Sequence, residues 1–110
     1  MAVLSPSVLV KAEQVWPTSW EHGTDPEEYY RFMSGFCCGL VYEGHVVMIV
    51  FVDLEGYKEF CEDEHIDEDL STSRAAYGAW AVLQHGVEFQ PVLDLWELGS
   101  QFDEGVYTSP

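Results

Sequence analysis

The chain has 110 residues, 47% hydrophobic and 15% aromatic, which suits one folded domain with a real core; a disordered acidic tail lacks such residues. Twenty Asp and Glu stand against four basic residues, Lys11, Arg31, Lys58 and Arg74, and the net charge of −16 disfavours direct binding to nucleic acid or an anionic membrane while favouring basic partners. Three cysteines, Cys37, Cys38 and Cys61, make a poor disulfide framework, no basic-then-apolar leader opens the chain, and the longest apolar run (residues 46–52) is too short to span a bilayer, so a reduced cytoplasmic protein is expected.

Residues 8–16 lie between Pro6 and Pro17, and their β-branched content favours a strand, with a short helix as the alternative. A loop follows. Thr24 or Asp25 then caps a helix with Pro26 in its first turn, where Glu27 and Glu28 complement the helix dipole. Tyr29, Met33, Phe36, Cys37 and Leu40 form its apolar stripe. Gly35 and Gly39 weaken this helix, and residues 36–42 read equally as the start of a strand that pairs, through a turn at 42–45, with the next segment. That segment, residues 45–54, holds the clearest strand, whose unbroken apolar run predicts a central position.

Asp53 caps a second helix, with Leu54, Tyr57, Phe60 and Cys61 on a core face and Glu55, Glu59, Glu62 and Asp63 on the opposite one. A third helix begins near Ser71 or Ser73 and stops at Gly86, with Ala76, Ala79, Trp80 and Leu83 as its expected buried stripe. Residues 87–92 form a last strand, with Pro91 at an edge or strand end. Residues 93–102 allow one short helical turn, and the tail from Asp103 is expected to fray. The sum is an α+β fold: one small domain over residues 1–110, with about three helices packed on a small, mainly antiparallel sheet.

From Asp53 to Asp69 nine of seventeen residues are acidic. The plain reading is a solvated face. The sharper one is a surface that imitates phosphates, built from Glu55, Glu59, Glu62 and Asp63 and continued by Glu64, Asp67, Glu68 and Asp69, with Glu27, Glu28, Glu97, Asp103 and Glu104 as outlying candidates. A calcium loop fails in both registers, because its sixth and twelfth positions hold Thr72 and Gly78, or Glu68 and Arg74. Cys61 and His65 have a ligand-compatible spacing, but no paired metal-binding elements accompany them, so no metal is expected. Phosphate loops, nucleophile elbows and zinc-protease motifs are absent; no catalytic residue and no cofactor is assigned. Of Trp16, Trp20, Tyr29, Tyr30, Trp96 and Tyr107, some should reach the surface and serve as binding anchors, unless they only cap the core.

These features predict a non-enzymatic inhibitor or adaptor that binds a basic protein, in its sharpest form a nucleic-acid mimic occupying a DNA- or RNA-binding groove. In size and charge the chain resembles phage-borne anti-restriction and anti-CRISPR proteins, a likeness of composition carried by no shared motif. The alternatives are an ordinary domain adapted to a salt-rich cytoplasm, for which two lysines in the whole chain are suggestive, and a module that self-associates through its apolar strand edge.

Overall fold

The computed structural model describes residues 1–105. Its elements run β1 (Ala2–Val3), α1 (Pro6–Leu9), α2 (Ala12–Val15), α3 (Pro26–Tyr42), β2 (Met48–Phe51), α4 (Leu54–Glu64), α5 (Ser71–His85), β3 (Val87–Glu88) and α6 (Leu95–Asp103). The sheet order is β1-β2-β3, with β1 parallel to β2 and β3 antiparallel to it. The α+β expectation holds at that coarse level. Among the described residues, however, there are six helices rather than about three, and the sheet is mixed rather than mainly antiparallel.

β2 is the central strand, as its apolar run predicts: Ile49, Val50, Phe51 and Val52 are all buried. With β1 on one side and β3 on the other, both of its edges are engaged. Ala2 pairs with Val50 and Met48 with Glu88.

Residues 8–16 form no strand. They make two short helices, because Leu9, Ala12 and Trp16 fall three and four residues apart and all three side chains are buried. Burial on one helical face outweighs the β-propensity of the valines. Residues 36–42 continue α3 to Tyr42, so the hairpin with the next segment does not form. Gly35 and Gly39 sit on the exposed side, and α3 is held by the burial of Tyr29, Tyr30, Met33 and Cys37. Phe36, expected in the apolar stripe, is 50% exposed. The turn at 42–45 is a helix stop: His45 N–H donates to the Leu40 carbonyl, Gly44 N–H to that of Val41, and Gly44 takes φ 95°.

The largest departure concerns α5. Ser73, Tyr77, Gly78 and Ala81 are its buried residues, whereas Ala76, Ala79, Trp80 and Leu83 face outward. The sheet approaches this helix so closely that a Cβ on Gly78 would stand 2.9 Å from the Ala2 nitrogen. No side chain fits at residue 78 without a shift, so Trp80 and Leu83 lie on the outer side, while Tyr77 turns inward against Tyr57 and Phe60. α6 is nine residues long rather than one turn. The Asp94 carboxylate caps it by accepting from the N–H groups of Trp96 and Glu97, and Gly99 lets it approach Phe51, Pro6 and Ser5. Asp103 is the last residue of α6, and its carboxylate accepts from the N–H and Oγ of Ser7, 2.9 and 2.6 Å away. The rest of the tail, residues 106–110 with Tyr107 among them, lies outside the described residues.

Tyr29 and Tyr30 fasten the end of β1 to α3 through the backbone of one residue, Leu4. The Tyr29 hydroxyl accepts from Leu4 N–H at 2.9 Å, and the Tyr30 hydroxyl donates to the Leu4 carbonyl at 2.7 Å. Burial pushes the Tyr29 hydroxyl up to about 12.

Candidate acidic face and groove

α4 starts where expected: the Asp53 carboxylate accepts from Gly56 N–H at 3.3 Å. Tyr57 and Cys61 are its buried residues, with Leu54 and Phe60 half-buried beside them. The opposite side carries Glu55, Glu59, Glu62 and Asp63, all exposed, within an arc of about 100° at 100° per residue. Glu64 lies about 100° further round, on the groove side, and brings the helix to five carboxylates in eleven residues. At a rise of about 1.5 Å per residue that is roughly one per 3 Å of axis, close to the charge density of a single DNA strand at about 3.4 Å. Lys58 lies among them and lowers the net density by one charge in five.

None of these five carboxylates has an ion-pair or hydrogen-bond partner among the described residues. The ion pairs found there, Arg31 with Glu27 and His45 with Glu43, lie on α3 and its exit turn.

The acidic turn after α4 is built differently. His65 takes the left-handed conformation (φ 56°), Ile66 N–H reaches back to the Cys61 carbonyl, and the helix ends. The Tyr57 hydroxyl donates to the Glu68 carbonyl at 2.6 Å, and Ser73 Oγ donates to the Asp67 carbonyl at 2.6 Å. Two core side chains therefore pin the backbone of this turn. The Asp67 carboxylate accepts from Asp69 N–H. Asp69 is turned inward against the α2–α3 loop, where it accepts from the N–H groups of Thr18 and Ser19 and from Ser19 Oγ. Desolvation pushes its carboxyl up, but those hydrogen bonds outweigh it and hold the pKa below the ordinary value.

Ser19 also ties in Arg74, which donates Nη1–H to Ser19 Oγ at 2.8 Å. The Arg74 guanidinium lies 4.6 Å above the buried Trp16 ring and 5.5 Å from that of Trp20. Desolvation lowers its pKa, against the opposing pull of Tyr57 and Asp69. One of the four basic residues is thus a structural clasp inside the fold.

Of the eight residues assigned to partner binding, Glu55, Glu59, Glu62, Asp63, Glu64 and Asp67 are exposed, Glu68 is half-buried, and Asp69 is occupied by the fold. Among the outlying acids, Glu27 pairs with Arg31 at 2.9 Å and Asp103 holds Ser7. Trp16, Tyr29 and Tyr30 are core residues; Trp96 is 43% exposed and stacks on Tyr30. Cys61 is buried while His65 faces solvent, so their four-residue spacing does not place them on one face. No group of three or more His, Cys, Asp or Glu among the described residues is arranged to hold a metal ion. No described helix is long and apolar enough to cross a membrane.

The periodicity of the sequence does not reveal a groove of about 830 Å³ between α4 and α5. Gly56, Glu59, Phe60, Asp63 and Glu64 form one wall. Tyr77, Trp80, Gln84 and His85 form the other, over a floor that includes Val50, Phe51 and Ala81. Its aromatic lining is contiguous: Phe60 lies 5.2 Å from Trp80 and 5.6 Å from Tyr77. Periodicity alone places Trp80 in the core; the signal that it belongs here is its size, on the side of α5 away from Gly78 and Ala81.

No protein-family model matches the chain, and no curated protein or solved structure matches it.

Proposed function

We propose that this protein is an acidic binding protein that occludes a basic surface on a nucleic-acid-binding protein, with no chemistry of its own. The observation that carries this reading is the α4 face, where four carboxylates lacking internal partners, Glu55, Glu59, Glu62 and Asp63, are held on a packed helix at roughly one per 3.4 Å of axis, about the linear charge density of one nucleic-acid strand. A mimic needs that rigidity, because carboxylates on a flexible chain would lose ordering entropy on binding. The Tyr57 and Ser73 hydrogen bonds hold the backbone of the following turn rigid, where the Asp67 carboxylate is spent on Asp69 N–H and Glu68 is half-buried. Inhibition is competitive: target lysines and arginines that would meet phosphates meet Glu59, Glu62 and Asp63 instead. In a cell this is the action of a cytoplasmic counter-defence protein of the anti-restriction or anti-CRISPR kind.

The test is capture from host lysate at low and high salt, using the full chain and its Glu59→Lys/Glu62→Lys/Asp63→Lys variant. The expected result is one basic nucleic-acid-binding protein, released by salt or by competing DNA or RNA and lost with the variant. Equal capture by the variant, or no specific partner from a folded chain, overturns the proposal.

A further inference from the structure

We infer that the groove between α4 and α5 is an arginine-binding site, in which a guanidinium from a basic protein segment lies on the Trp80 ring and donates to the Glu59 and Asp63 carboxylates. The inference deepens the occlusion reading and rests on it for the natural partner, but its chemistry is testable without one.

Three observations converge. First, Trp80 is 46% exposed, although it sits against Phe60 and Tyr77, so nearly half of this large aromatic residue is left to solvent beside an aromatic wall. Second, Glu59 and Asp63 line the same groove, and neither has a partner among the described residues. A flat cation with an apolar stem matches both features: its face stacks on the indole, its N–H fork meets carboxylates, and its methylenes cover the apolar floor. Third, the protein already uses this recognition internally. Arg74 lies over Trp16 and Trp20 and reaches the Asp69 carboxylate through Ser19, whose hydroxyl links the two at 2.8 Å on each side. The groove is likewise lined by an exposed indole and carboxylates, Trp80 with Glu59 and Asp63. Charge complementarity selects the occupant, since a chain of net charge −16 repels an acidic or a second identical segment.

The probes are three capped peptides of one sequence, Gly-X-Gly-X-Gly, with X as arginine, lysine or the neutral isostere citrulline. Each is titrated into the full chain while the four indole N–H resonances are followed by NMR, with Trp16, Trp20 and Trp96 as internal references. The expected result is a saturable shift of Trp80 with the arginine peptide, at least threefold weaker affinity for lysine, and no saturation with citrulline. Trp80→Ala should weaken arginine binding at least fivefold, and Glu59→Gln/Asp63→Asn, which changes only exposed groups, at least tenfold. Equal binding of arginine and lysine peptides, undiminished by Trp80→Ala in a folded variant, would mean diffuse attraction to the acidic surface and overturn the site. Absence of saturation with the arginine peptide overturns it equally. If the site fails while a basic partner is still captured, occlusion stands without this anchor. If Trp80 saturates and no partner is captured, the arginine site stands and occlusion falls.

Discussion

Two halves of one acidic run behave in opposite ways. Along α4, Glu55, Glu59, Glu62, Asp63 and Glu64 are exposed and bond to nothing else among the described residues. A few residues later, Asp67 closes a turn on Asp69 N–H, and Asp69 fastens the α2–α3 loop through Thr18 and Ser19. The same residue types thus supply a free display in one half and internal cement in the other. The difference is one of backbone geometry. A helix satisfies its own N–H groups beyond the first turn and leaves carboxylates idle, whereas a turn and a loop carry unpaired N–H groups that a carboxylate can accept from.

The widest separation of the two halves comes from reversing charge on the free one. With Glu59→Lys/Glu62→Lys/Asp63→Lys, affinity for a basic partner should fall by about 100-fold at low salt, at roughly 1 kcal/mol per site. Thermal stability should hold or rise, because the chain's self-repulsion is relieved. Isothermal titration against a captured partner and a melting curve would check this; loss of folding would mean that the α4 carboxylates are structural after all. Next in size is the pinned half. Tyr57→Phe/Ser73→Ala removes both hydrogen bonds to the turn carbonyls and should cost about 2 kcal/mol by chemical denaturation, at about 1 kcal/mol per bond. A cost near zero would leave the turn held by something other than these hydroxyls.

A subtler contrast lies in acid. Asp69 has a folded pKa below its unfolded one, so the folded state binds fewer protons there. Its contribution is complete above the ordinary carboxylate value of about 3.9 and disappears as pH falls through the lower folded value. The stability advantage of the wild type over Asp69→Asn should therefore be level from neutrality down to that region and then shrink. An advantage that persists unchanged to pH 2 would show that the ionised carboxylate is not the clasp. The smallest effect belongs to the joint between the halves: His65→Gly relieves a left-handed residue (φ 56°) and should add about 0.5 kcal/mol, measured as a small rise in denaturation midpoint.

Much of this architecture is legible in short-range patterns. The central strand, the Asp25 and Asp53 caps, the turn at 42–45 and the acidic face of α4 all follow from neighbours within a few residues. Where two local readings competed, at residues 8–16 and 36–42, burial of one helical face decided for helix in both. The groove lay further out of reach. Placing the small residues of α5 inward depends on the approach of β1 to Gly78, a contact between residues 76 positions apart in sequence. Once that contact forms, Trp80 must turn outward, and the wall it makes with Phe60 exists only because α4 lies alongside.

The sequence by itself determined that this is a strongly acidic α+β protein with a charged helix and a buried strand, since composition and periodicity report directly on charge and on which face of an element meets the core. The tertiary structure alone decided which acids remain free, which are consumed by the fold, and that three of the free ones, Glu59, Asp63 and Glu64, line a groove with an exposed indole. Those are properties of distance between elements, and no local pattern encodes them.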